Sequence, residues 1–172
     1  GGFGKMMISL LGKYGAVMLD PSDPEIKNLM LPIFRQEIES PLKSVGIINS
    51  AGDNLESLGY ESQIEKSEDS TCLFIEVDRI RRKLYFRNNC FDVDGTNISL
   101  SKNELLDTLQ IAPHKFSPNV ALRPITQDYL LPTIAYVAGP GEISYFAQLN
   151  NLYNHFDVNM PVIYPRASFT II

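Results

Sequence analysis

Residues 133–164 read TIAYVAGPGEISYFAQLNNLYNHFDVNMPVIY, and the reading of this stretch decides the fold. Thr133 to Val137 is a short apolar run of strand type, and Gly139-Pro140-Gly141 is a tight turn. Ile143 to Phe156 carries apolar residues at helical spacing, and Pro161 to Tyr164 is a second strand. Strand, glycine turn, helix, strand is the unit that builds parallel α/β sheets. In open sheets of this kind ligands bind beyond the carboxyl ends of the strands. The turn and the start of the helix are therefore where function is expected. Glycine lets a ligand approach the backbone closely, and a first helical turn offers unpaired N–H groups and the positive end of the dipole. Phosphate or carboxylate suits such a place. The turn matches neither the dinucleotide fingerprint nor the Walker A loop. Glu142 also stands in the first turn, where its own carboxylate can answer the dipole.

Upstream, Arg123, Gln127 and Asp128 fall on a predicted helix that leads into the Thr133 strand. Arg123 and Gln127 are four residues apart and share a face. A guanidinium there can recognise a carboxylate or phosphate, or it can pair with a carboxylate of the chain itself. Downstream, Tyr145 and Gln148 lie one turn apart on the helix after Gly141 and can face a ligand or pack inward. Arg166 follows Tyr164-Pro165 at the end of the next strand, a binding position in α/β folds and equally a place for a surface arginine. The candidate binding set is thus Arg123, Gln127, Asp128, Gly139, Gly141, Glu142, Tyr145, Gln148 and Arg166.

The first sixty residues continue the α/β pattern. Ala16 to Leu19 reads as a strand. Ser22, Pro24 and Glu25 have the spacing of a capping box and first turn, followed by Ile26, Leu29, Met30, Ile33, Phe34 and Ile38 at helical spacing. Pro32 should kink or divide that helix. A further helix runs from Pro41 to about Leu58, with Val45, Ile48 and Leu55 inward and Gly59 as its C-cap. Polar residues 61–70 form a loop. Cys72 to Val77, Lys83 to Arg87, Cys90 to Val93 and Ile98 to Leu100 then read as an antiparallel meander, with Asp94-Gly95 as a turn. Ser101 and Glu104 make a capping box for a helix that Pro113 ends. The expected organisation is an α/β core in segments 1–60 and 113–172, interrupted by an inserted antiparallel β meander and helix at 61–112.

The 172 residues suffice for one domain, and 44% hydrophobic content places the chain among globular proteins. A net charge of −5 argues against a nucleic-acid partner. No apolar run approaches the ~18 residues of a membrane span. Cys72 and Cys90 have neither metal nor disulfide-framework spacing, and His114 and His155 have no partner at metal spacing, so no metal is expected. The Asp20, Ser22 and Asp23 group is explained by capping. The basic run Arg79, Arg81, Arg82, Lys83 and Arg87 alternates onto a solvated strand face. Asp92, Asp94 and Asn97 miss the calcium-loop spacing. The opening GGFGKMMISL and the apolar run up to Ile172 suggest a piece of a longer protein.

Three ordered phrases go further. LDPSDPEIKNLMLPIFRQEIE, FSPNVALRPITQDYLLPTIAYVAGPGEISYFAQL and MPVIYPRASFTII resemble the bacillithiol biosynthesis cysteine-adding enzyme family, BshC, over about 15–60 and 115–172. The resemblance implies a cytoplasmic protein roughly three times as long. It implies a partial, Rossmann-like parallel core in this chain, a nucleotide-type motif before it, and a homodimer formed through a coiled coil outside it. It further implies a ligase that adds cysteine to glucosaminyl-malate in the last step of bacillithiol synthesis. Carboxyl activation makes a nucleotide such as ATP or ADP the expected cofactor, and this chain alone would be inactive. The resemblance places the candidate residues in the matching phrases without assigning catalytic roles. Two other readings remain open: a non-catalytic nucleotide-binding or scaffold module, and a nucleotidyltransferase-like enzyme.

Overall fold

Proline and glycine punctuate the amino-terminal third. In the computed structural model, which describes residues 2–169, helix α1 (Gly2–Leu11) is followed by a 3-10 turn at Gly12–Tyr14 and an irregular segment. Helices α2 (Pro24–Leu29) and α3 (Leu31–Glu39) are separate because Pro32, in the first turn of α3, has no N–H and suits only a helix start. Their buried stripe is Met30, Ile33, Phe34 and Ile38, whereas Leu29 faces solvent. Helix α4 (Lys43–Ser57) ends at Gly59, whose φ of 85° turns the Gly59 and Tyr60 N–H groups back onto the carbonyls of Glu56 and Leu55.

Two expectations fail here. The cap of α2 is Asp23, whose Oδ1 accepts from the Glu25 N–H at 2.8 Å. Ser22 instead donates its N–H and hydroxyl backwards to Asp20 Oδ1, at 2.9 and 2.6 Å. Ala16 to Leu19 is not a strand: Val17 is 90% exposed, and among the described residues the segment has no ladder partner.

The meander is formed by β1 (Ser70–Val77), β2 (Ile80–Arg87), β3 (Cys90–Val93) and β4 (Ser99–Ser101). Two-residue turns join the first three strands. Asp78-Arg79 (φ 53° and 62°) and Asn88-Asn89 (φ 48° and 63°) take the left-handed angles whose twist matches the flanking strands. Helix α5 (Lys102–Ile111) opens on the expected box: Glu104 Oε2 accepts from the Ser101 N–H at 2.8 Å, and Ser101 Oγ accepts from the Glu104 N–H at 3.3 Å. Strand β5 (Phe116–Pro118), too short to show alternation in sequence, returns to pair with β1, giving the antiparallel order β4-β3-β2-β1-β5.

The last third contains α6 (Leu122–Leu130), β6 (Ala135–Ala138), α7 (Pro140–Phe146), α8 (Asn150–His155) and β7 (Val162–Pro165). Strands β6 and β7 pair in parallel, from Ala135 opposite Val162 to Ala138 opposite Pro165. The single helix expected over 143–156 is two helices. The N–H groups of Gln148 and Leu149 bond only three residues back, to Tyr145 and Phe146, which tightens the chain and breaks the helix. The fold is mixed α/β. Among the described residues parallel pairing is confined to β6 and β7, and the larger sheet is antiparallel. Helix α3 packs on α5 and β1, and α4 on α8 and β1. A hydrophobic cluster runs from Phe34 and Ile48 through Leu84 and Phe91 to Ile125, Phe146 and Tyr153. Thr170 to Ile172, the end of the apolar run, lie outside the described residues.

Candidate functional site

The carboxyl end of β6 delivers the chain into Gly139 and then α7. Neither glycine of the turn uses a left-handed conformation; Gly139 has φ −75° and ψ 167°, open to any residue. What Gly139 provides is space. A Cβ there would stand 3.0 Å from Arg166 Nη2, so the missing side chain is the seat of that guanidinium. Gly141 has open space around it.

Around the turn lies a connected polar network. Arg123, in the first turn of α6, is positioned by Asn119, whose Oδ1 accepts from the Ala121 and Leu122 N–H groups at 2.9 and 3.0 Å. Arg123 Nη2 donates to the hydroxyls of Tyr136 on β6 and Tyr145 on α7, at 3.3 and 3.1 Å. The Tyr136 hydroxyl donates to Glu142 Oε1 at 2.7 Å, and Glu142 Oε2 accepts from the Gly139 N–H at 2.9 Å. The Arg166 N–H donates to the Ala138 carbonyl at 2.8 Å, holding its side chain beside the turn. Phe146 backs both tyrosine rings, with centroids 4.8 Å from Tyr136 and 5.3 Å from Tyr145.

Glu142 is held below the ordinary carboxylate range by the Gly139 N–H and the Tyr136 hydroxyl, with Arg123 and Arg166 adding their charge. Burial, together with donation to Glu142, pushes the Tyr136 hydroxyl up against the opposing effect of Arg123. The chain's own carboxylate thus already occupies the first-turn donor expected to meet a ligand. Two arginines flank it, and an incoming anion would meet guanidinium groups rather than bare helix N–H groups.

The remaining candidates separate. Asp128 is buried under α6, where its Oδ2 accepts from the Tyr153 hydroxyl at 2.5 Å, and burial and Asp128 together push that hydroxyl far up. Gln127 lines, with Arg123 and Leu130, a mostly apolar cavity of about 210 Å³. Gln148 does not face the turn. It is fully buried, and its amide is saturated: Oε1 accepts from the Gln63 and Ile64 N–H groups at 2.8 Å each, while Nε2 donates to Ser62 Oγ and the Ile64 carbonyl. The helix break that draws Gln148 inward is what removes it from the strand-end cluster. Tyr136 was missed in the sequence, although its position two residues before Ala138 places it on the same strand face at the carboxyl end. Among the described residues no group of three or more His, Cys, Asp or Glu side chains is placed to hold a metal, and no helix is long and apolar enough to cross a membrane.

Residues 2–167 match the model of the family described as bacillithiol biosynthesis BshC, N-terminal Rossmann-like domain. The chain belongs to the BshC family. A BshC relative from Salinibacter ruber is 43% identical over 99% of this chain, and one from Natranaerobius thermophilus is 40% identical over 97% of it. A third, from Chlorobium phaeobacteroides, is 38% identical over 99% of the chain. Each of these BshC relatives carries the name "Putative cysteine ligase BshC". The chain spans 30–31% of the length of these three BshC relatives.

Proposed function

We propose that the protein carrying this chain is a cysteine ligase of bacillithiol synthesis, joining the cysteine carboxyl to the amine of glucosaminyl-malate as an amide. The observation that supports it is the Arg123–Tyr136–Glu142–Gly139 network, with Arg166 beside it, at the end of a parallel strand in a BshC chain. Condensing a carboxylate with an amine expels the elements of water, so the carboxyl must first be activated. A nucleotide such as ATP supplies that activation when bound.

In this reading Arg123 and Arg166 neutralise a phosphate or carboxylate beside the turn, and Tyr145 orients it through its hydroxyl. Glu142 stays ionised between the arginines and keeps the Gly139 N–H and Tyr136 in place until the ligand arrives. Gln127 faces the adjoining cavity. Asp128 and Gln148 act on the frame: one fixes α6 to α8 through Tyr153, and the other ties the region after α7 to the 62–64 loop. The rest of the catalytic centre and the coiled-coil dimer are assigned to the portion of the protein beyond this chain.

The test is thiol profiling of cells with and without the full-length gene, combined with Arg166→Ala in the full-length protein. Loss of bacillithiol with accumulation of glucosaminyl-malate is expected on deletion. A tenfold or greater loss of product formation is expected for Arg166→Ala. An unchanged thiol pool would overturn the ligase reading in favour of a nucleotide-binding scaffold. Unaltered turnover and ligand affinity in Arg166→Ala would remove that residue from the site.

A further inference from the structure

Arg123 has a second neighbourhood. Away from the tyrosines it borders a cleft of about 530 Å³ whose charged and titratable lining is Lys27, Arg81, His114, Lys115 and Arg123 against Glu76 alone. The apolar cavity of Gln127 adjoins it, sharing Lys27 and Arg123. In a chain of net charge −5 this is a local reversal of sign.

Two of these cations, buried Lys27 and exposed Arg81, are held in place. Lys27 is 7% exposed; its Nζ donates to the Phe116 carbonyl at 2.8 Å and sits 5.9 Å from the centre of the Phe34 ring. Arg81 donates through Nε to Ser117 Oγ and through Nη2 to the Pro118 carbonyl, both at 2.7 Å, with its guanidinium 3.7 Å from the centre of Phe74. Both therefore grip β5, and every acceptor they use is neutral. Among the described residues the ion pairs are Arg35–Glu39 and Arg87–Asp69, neither of them in the cleft. Pinning a three-residue strand needs donors but no charge. Lys27 and Arg81 lie in one cleft whose single carboxylate, Glu76, is in an ion pair with neither, so positive charge is in excess there in the free protein. A bound anion offsets that excess.

We propose that this cleft is a subsite for a compact dianion, a phosphoryl group or a pair of neighbouring carboxylates, held by Lys27 and Arg81 and capped by Arg123. The subsite rests on the strand-end reading above, because Arg123 belongs to both places. It adds that the ligand extends from the Gly139 turn past Arg123 and buries its most negative end under α2. Lys27 supplies charge from the floor through its two unused N–H donors. Arg81 and Arg123 supply planar forks at the rim.

The experiment is calorimetric titration of the full-length protein with malate and, separately, with inorganic phosphate. The variants are Lys27→Met, Arg81→Gln and Arg166→Ala, each checked for wild-type circular dichroism. At least one of the two anions is expected to bind, with Lys27→Met and Arg81→Gln each weakening it tenfold or more. Malate alone identifies the dicarboxylate form, and phosphate alone the phosphoryl form. Exposed Arg81 keeps the test decisive if Lys27→Met does not fold. Binding abolished by Arg166→Ala but untouched by Arg81→Gln would overturn the subsite while sparing the strand-end site. Absence of binding by either anion at millimolar concentration would overturn it outright.

Discussion

Gly139 and Glu37 show how single atoms set the chemistry. The Gly139 hydrogen that replaces a Cβ is what admits Arg166, and the obstructed atom is the far end of a flexible side chain. Gly139→Ala should therefore change stability by less than about 1 kcal/mol while lowering product formation of the full-length enzyme several-fold; unaltered turnover would show that the seat of Arg166 is immaterial. Glu37 is buried, with Ser44 Oγ donating to Oε2 at 2.5 Å and the Cys72 N–H to Oε1 at 2.8 Å. Burial raises its carboxyl above the ordinary range despite those two bonds. The folded state then holds this proton more tightly than the unfolded state. Its contribution is most favourable below the unfolded value, about pH 4.3, and declines as pH rises towards the folded value. Glu37→Gln should lack that decline, so the stability difference should move in the variant's favour as pH rises above about 4.3. Urea midpoints across that range measure it, and a flat difference would contradict it. The neighbouring Cys72 thiol is pushed well up by burial and by Glu37, which makes it inert as a nucleophile.

At the scale of elements, the readable parts were those with local causes. Pro32 divided α2 from α3, Gly59 ended α4, and Ser101 with Glu104 opened α5, because caps and prolines act within a few residues. The break between α7 and α8 was invisible, since it goes with a partner about 85 positions away, the 62–64 backbone that saturates Gln148. Strand β5 was equally hidden, having three residues and a pairing set by β1. Arg123, Glu142, Tyr145 and Arg166 stand together around the turn, as their positions in the sequence suggested, whereas Asp128 and Gln148 turn inward, because sequence does not say which face of a short helix is buried. Lys27 left a trace that went unused: it stands three residues before Met30 and seven before Phe34, on the buried stripe. Gln148→Leu should leave the Gln63 and Ile64 N–H groups without acceptors and cost about 2–4 kcal/mol. Thermal unfolding checks this, and a loss under about 0.5 kcal/mol would show that the contact is dispensable.

At the scale of the molecule, the antiparallel half is well covered and the parallel half is not. Ile134, Val137 and Val162 are 86%, 60% and 65% exposed around β6 and β7, and α1 buries none of its side chains. The curated relatives are roughly three times as long as this chain, and contiguous exposed apolar surface of this kind marks a place where something else packs. The isolated chain should accordingly bind the dye ANS more strongly than the full-length protein and self-associate on gel filtration. Equal dye binding by the two would show that the β6–β7 faces are bare in both.

The Gln148 contact also sets an order of events during synthesis. The five antiparallel strands need nothing beyond Pro118 to pair, but the loop at 62–64 has no acceptor until Gln148 has been made. The residues from Pro118 to Gln148, added at roughly 5–20 per second, take about 2–6 s to appear. For those seconds the Gln63 and Ile64 amides are left to water, and Gln148 gives them their acceptor before α8 and β7 complete the core.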